Sequence, residues 1–192
     1  MFRTQLAPRF AIVLLLLFLL GAPLSGAAQS PLVRIAPTLT VVPIGGTACA
    51  DLRVEDVENL FGFETVIRFD PSRVTVVDAS PETPGVQVGI GPFLQPANPS
   101  NWYVINAVDN ASGTIRLAIT LFAPETGRSG SGVLATACFQ GVNRGHSALT
   151  IVEASTLLLD PHVSVIPFAA KSGGALVGPV HRFRIPLVSR GR

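Results

Sequence analysis

Apolar and polar side chains alternate through residues 60–77 of this 192-residue chain. Phe63, Thr65, Ile67 and Phe69 fall on one parity; Glu64, Val66 and Arg68 fall on the other. A period of two is that of a half-buried β-strand. Pro71 has no N–H to give to a ladder, so the strand must stop at Asp70-Pro71, and a β-branched run restarts at Val74. The same signature recurs along the chain. Residues 34–42, 48–54, 62–69, 74–79, 86–90, 103–107, 114–122, 132–140, 147–154, 163–167 and 174–178 read as strands. Turn signals separate them: Gly45-Gly46, Asp70-Pro71, Asn110-Ala111-Ser112-Gly113, the Gly-rich 127–132, Asn143-Arg144-Gly145 and Asp160-Pro161. The proline-rich 81–100 reads as a long loop carrying a short edge strand. No segment shows clear helical periodicity. About nine to eleven short strands without helices predict an all-β fold, a β-sandwich.

The two ends differ from this body. Arg3 and Arg9 precede an unbroken apolar run from Phe10 to Leu20, and small residues follow at Ser25-Gly26-Ala27-Ala28. That order predicts a signal peptide over 1–28. The run is shorter than the ~20 residues that span a bilayer, so a retained anchor is the weaker alternative. The folded domain is expected over 29–180. Residues 181–192 form a tail that is both basic and apolar, read either as a frayed end or as a short sorting or attachment signal. The expected location is outside the cell, secreted or at the surface, with no membrane-spanning segment in the mature chain.

Charge narrows the partners. The formal net charge is +2, but Arg3 and Arg9 lie in the leader and Arg182, Arg184, Arg190 and Arg192 in the tail. Residues 29–180 hold 8 basic and 12 acidic side chains, a net of −4. A mildly acidic body without a basic stripe argues against nucleic acid.

Cys49 and Cys138 are the only cysteines. Each sits on the parity opposite its apolar neighbours: Ala48, Ala50 and Leu52 around the first, Ala135, Ala137 and Phe139 around the second. Two outward cysteines can bridge if their strands are neighbours in register, and export permits a disulfide; otherwise they are two free surface thiols.

Catalytic chemistry is hard to find. Ser129-Gly130-Ser131-Gly132 precedes a strand and is no nucleophile elbow. His146, His162 and His181 lie at turns or in the tail without zinc-ligand spacing. Asp51, Glu55, Asp56 and Glu58 make an acidic rim that implies no cleft for paired-carboxylate hydrolysis. Neither a phosphate loop nor a helix–loop–helix calcium site is present. The chain reads as a non-enzyme without a cofactor. Asn110-Ala111-Ser112 matches a glycosylation sequon, a weak three-residue signal.

An ordered series of segments carries a resemblance. Val42-Pro43-Ile44-Gly45-Gly46-Thr47 follows a Val-rich first strand. Next come Leu52-Arg53-Val54-Glu55-Asp56-Val57-Glu58-Asn59-Leu60, then Gly62-Phe63 and the strand end Phe69-Asp70-Pro71. Gly113-Thr114-Ile115-Arg116-Leu117-Ala118 follows, and then Gly130-Ser131-Gly132-Val133-Leu134-Ala135-Thr136 leading to Phe139. Over roughly 35–176 the chain resembles the cohesin domains. The resemblance implies a nine-stranded jelly-roll sandwich. It also implies a protein partner, the dockerin, a small helical module that carries its own calcium, within polysaccharide-degrading assemblies. Dockerins dock on the outer face of one cohesin sheet, matched here by 62–69, 114–121 and 147–154. Glu64 matches an often acidic position of the binding strand. Gly62 departs from the polar residue common two places earlier. Val66, Arg68, Arg116, Thr120 and Glu153 are further outward candidates by parity. The strands matching 48–54 and 132–140 are neighbours in cohesins, which favours a Cys49–Cys138 bridge.

Two other roles compete. A carbohydrate-binding module would meet polysaccharide with aromatic rings. Trp102 and Tyr103 are the only Trp and Tyr, and as sequence neighbours they point to opposite faces, leaving Trp102 as a lone candidate for sugar stacking. A structural brick of a cell-surface layer is the other.

Overall fold

The computed structural model describes residues 30–178. The expected leader (1–28) and tail (181–192) lie outside the described residues. Thirteen strands form two packed sheets. They are β1 Leu32–Ala36, β2 Leu39–Pro43, β3 Thr47–Leu60, β4 Gly62–Arg68, β5 Val74–Val76, β6 Gly89–Ile90 and β7 Trp102–Asp109. The rest are β8 Thr114–Leu121, β9 Arg128–Gly141, β10 Gly145–Ile151, β11 Leu157–Leu159, β12 Ala169–Lys171 and β13 Gly173–Gly178. The first sheet runs β12-β1-β3-β9-β5, with β6 also on β9; the second runs β2-β13-β10-β4-β8-β7, with β11 also on β4.

One expected strand is divided, one is lost and two short ones are added, which raises the eleven expected segments to thirteen strands. Residues 34–42 are not one strand. Pro37 interrupts the ladder, and the chain passes there from the first sheet (β1) to the second (β2). The expected 86–90 strand shrinks to β6 plus a single bridge, Val86 to Val108. Residues 163–167 form no strand, only a bridge from Val165 to Leu159. β11 and β12 are additional. The loop from β5 to β7 packs tightly on β9: a Cβ at Gly132 would strike the Phe93 ring, and one at Gly91 would strike Val133 O.

β3 outruns its expected 48–54. Strict alternation after Val54 would turn Asp56 and Glu58 inward. Register shifts at Val54/Val57 and Val57/Leu60 instead bring Val57 and Leu60 into the core. At these bulges Asp56 and Asn59 take left-handed conformations, φ 54° and 58°, which Asn and Asp tolerate better than most residues. The amide N–H groups of Asp56 and Asn59, cut out of the ladder, donate to Ser131 Oγ and Ser129 Oγ, each at 2.9 Å. The Ser-Gly-Ser-Gly segment thus fills gaps in a bulged hairpin.

The core lies between the sheets. Phe63, Ile67, Ile115, Leu117, Ile119 and Leu121 enter from the second sheet, and Leu52, Val54, Leu134 and Phe139 from the first, all buried. Phe69 meets Phe139 edge-on, with ring centroids 6.0 Å apart. Thr65 is the polar member of the inward face of β4. It is fully buried, and its Oγ1 shares a 2.9 Å hydrogen bond with Thr156 Oγ1, which donates onward to Val152 O. A buried hydroxyl so partnered avoids its desolvation cost.

The cysteines are bridged. Cys49 on β3 stands directly opposite Cys138 on β9, on the outer side of the first sheet, and the two form a disulfide. Outward parity and adjacency were both required, and both hold.

Candidate protein-binding face

The outer face of the second sheet is organised by β4 and β8. They pair in register from Gly62↔Thr120 to Arg68↔Thr114, so their outward residues form cross-strand rows. Tyr103, Thr120, Gly62 and Leu159 make one row; Ile105, Ala118, Glu64 and Leu157 make the next. Ala107, Arg116 and Val66 follow, then Asp109, Thr114, Arg68 and Thr150. Glu64, Arg68, Arg116 and Thr120 are exposed and Val66 half-buried, as their parity requires.

Glu64 and Arg116 sit diagonally across the β4–β8 ladder and pair at 3.7 Å. Both side chains are about half exposed. Such a pair contributes little to stability. Its consequence is positional: it sets one negative and one positive group side by side in the middle of the face. Arg68 stands one row beyond Arg116, near Asp109. Hydrogen bonds from the Ser112 hydroxyl, at 2.7 Å, and from the Ser112 and Ala111 amides hold the Asp109 carboxyl below the usual carboxylate range.

Two expected members are placed differently. Glu153 is not on a strand. β10 ends at Ile151, and Glu153 opens a one-turn 3-10 helix, Glu153–Ser155. The main chain enters this turn through Val152 N–H, which donates to Val66 O. Glu153 is exposed at the margin of the face, beside the β4 edge. The turn exists because β10 and β11 share one edge of β4 end to end, and the chain must step between them. Trp102 belongs to the inward parity of β7, is half-buried and packs against the core. Its neighbour Tyr103 points outward and is 58% exposed.

Tyr103, Ile105, Leu157 and Leu159 are members of the face that the sequence pattern did not single out. The signal for β11 was the run Leu157-Leu158-Leu159 closed by Asp160-Pro161, the same strand-ending dipeptide as Asp70-Pro71. Gly62 puts no side chain beside Leu159 and Thr120. A Cβ there would make only ordinary contact, 3.5 Å from Leu159 Cβ, so the glycine leaves a shallow place rather than relieving a clash.

The acidic rim is elsewhere, and two of its members are already partnered. Asp51 and Glu55 lie on the first sheet, where Asp51 accepts from Thr136 Oγ1 at 2.7 Å and Glu55 pairs with Arg34 at 2.7 Å. Asn110 of the sequon uses its carboxamide to bond both the N–H and the C=O of Val76. Among the described residues no group of three or more His, Cys, Asp or Glu is placed to hold a metal ion. No helix among them is long and apolar enough to cross a membrane.

Comparison with solved structures shows that this sandwich has the fold of cohesin modules. A type II cohesin from the cellulosome of Acetivibrio cellulolyticus superposes with a TM-score of 0.64 at 16% identity, covering 78% of this chain and 95% of that one. A non-cellulosomal cohesin from the archaeon Archaeoglobus fulgidus gives 0.59 at 16% identity, covering 78% and 92%. A chain from a type I cohesin–dockerin complex of Clostridium thermocellum gives 0.60 at 14% identity, covering 78% and 100%. No protein-family profile matches the sequence, and neither does any curated protein.

Proposed function

We propose that this chain is an exported, non-catalytic assembly module that captures a dockerin-like protein partner on the outer face of its second sheet. The observation that carries the reading is that face: in register, with the Glu64–Arg116 pair in its middle and apolar Tyr103, Leu157 and Leu159 at its border. Charged groups placed across a contact steer partner choice and register more than they add raw affinity. Cohesin-fold chains solved in complex with dockerins support the choice of partner class. The partner would bring its own calcium. The leader-like 1–28 and the disulfide fit export, and a role in polysaccharide assemblies follows only from the partner class.

The test is titration of the protein with calcium-loaded dockerin modules of the producing organism, by calorimetry. Wild type should bind one equivalent. Glu64→Arg and Arg116→Glu should each weaken binding by about 10–30-fold, the loss of a central charged contact worth roughly 1.5–2 kcal/mol. Glu153→Arg, at the margin, should cost less. Equal affinities for wild type and both central variants would remove this face from consideration. A glycan-binding role would now rest on Tyr103 instead of Trp102; depletion of wild type but not Tyr103→Ala by insoluble cellulose or chitin would favour it.

A further inference from the structure

We infer that a second copy of this chain docks along the open margin of β2, extending the second sheet across a two-fold axis. Each sheet of an open sandwich ends in unpaired main-chain groups, and exposed margins attract foreign strands unless guarded. Here three of the four margins are guarded. The β5 margin is plugged by Asn110, whose carboxamide takes both main-chain groups of Val76, at 2.8 and 3.0 Å. At the β7 margin, Val108 N–H donates to Val86 O and Asn106 clamps Val88 through its carboxamide. The β12 margin is only three residues long and ends in Lys171.

β2 has none of these devices. Its five residues, Leu-Thr-Val-Val-Pro, carry no charge. It pairs with β13 on one side only. Among the described residues, the one hydrogen bond to its main chain from outside that ladder is Gly46 N–H to Pro43 O, at the end where Gly141 of β9 also packs against Pro43. Leu39 and Val41 point outward, 49% and 53% exposed, and Leu176 continues their row at 40%. The nearest titratable group in that row is His146, two strands further in.

An uncharged strand of this kind is its own best complement. A two-fold axis at Thr40 sets Leu39 of each copy opposite Val41 of the other and places no like charges together. It also keeps Pro43, which has no N–H, outside the new ladder. The contact is a five-residue edge, below the ~1,200–2,000 Å² of stable complexes, so the dimer is weak and depends on concentration. It leaves the β4–β8 face of both copies open, and it stands independently of any dockerin.

Sedimentation equilibrium of the full chain, expressed for export, tests this. Over about 10 µM to about 1 mM, the range suited to so small an interface, the weight-average mass should rise toward twice the monomer. Amide exchange of the outward-facing N–H groups within residues 39–41 should slow in parallel. Val41→Lys, whose side chain already faces solvent, should stay monomeric with an unchanged melting temperature. Thr47→Lys, exposed on the other sheet, should associate like wild type. A monomer throughout that range would overturn the proposal. So would association undiminished by Val41→Lys, or association lost only when residues 179–192 are removed, since the terminal segment would then be the contact.

Discussion

The Cys49–Cys138 bridge lends itself to a quantitative prediction. The two residues are 89 apart in sequence and stand opposite each other in the β3–β9 ladder. Cross-linking them removes the entropy of closing that loop in the unfolded chain. For a loop of this length the chain-entropy relation gives about 15–16 cal/mol/K, or about 4.6 kcal/mol at 25 °C. Both sulfurs lie on the outer side of the sheet, so replacing them opens no core cavity. Cys49→Ala/Cys138→Ala should therefore fold to the same structure and lose about 4–5 kcal/mol, a roughly thousand-fold lower folding constant. Guanidinium denaturation is the assay. The single tryptophan, Trp102, packs against the core and serves as a reporter. The slope of stability against denaturant should rise in the variant, because its unfolded state is more expanded. Partner affinity should not move, since the bridge is on the sheet opposite the proposed face. A stability loss below about 1 kcal/mol would refute the entropic reasoning.

Two smaller predictions test the interior and the loops. Thr156→Val keeps the side-chain shape but leaves the Thr65 hydroxyl buried without a partner, and should cost about 1–3 kcal/mol; the Thr65→Val/Thr156→Val pair should cost less than the sum of the single changes. The carboxyls of Asp70, Asp109 and Asp160 are each held below the ordinary 3.8, chiefly by hydrogen bonds from Ser72, Ser112 and the Ser164 amide respectively. Their folded values are depressed, so their contribution is complete above the unfolded value and is lost as pH falls through the folded values. Melting temperature should be level above about pH 5 and decline below about pH 4, and Asp109→Asn should flatten part of that decline.

Legibility in the sequence followed how local the determinant was. β4 and β8 were plain because each buries one face, and a period of two is written directly into such strands. The disulfide was half legible: parity showed both cysteines outward, but their adjacency depends on a pairing between residues 89 apart, which came from family resemblance. Pro37 carries the same strand-stopping signal as Pro71, but the alternation resumes beyond it through Thr38 to Val42 and masks the break; the sheet switch is a tertiary event. Bulges defeated the boundary of β3, since an inserted left-handed residue changes an inward spacing of two into three. β11 and β12 are three residues each, too short to show a period. Glu153 was misplaced on a strand because nothing local marks the point where β10 leaves the edge of β4. Trp102 and Tyr103 were separable as opposite faces, but which one faced water depended on which side the other sheet covered.

The pairing of the first strands with the last has a consequence for the order of events during synthesis. Among the described residues β2 has β13 as its only ladder partner, and Leu39 meets Gly174, 135 positions later. β1 likewise waits for β12 on its outer side, with Leu32 against Ala169. At about 5–20 residues per second, β2 would remain without a partner for roughly 7–27 s after it emerged. The sandwich therefore cannot be completed progressively from its amino end. A nascent chain stopped before residue 173 would present an unfinished second sheet. Both ends of the domain must be present before either sheet has all its strands.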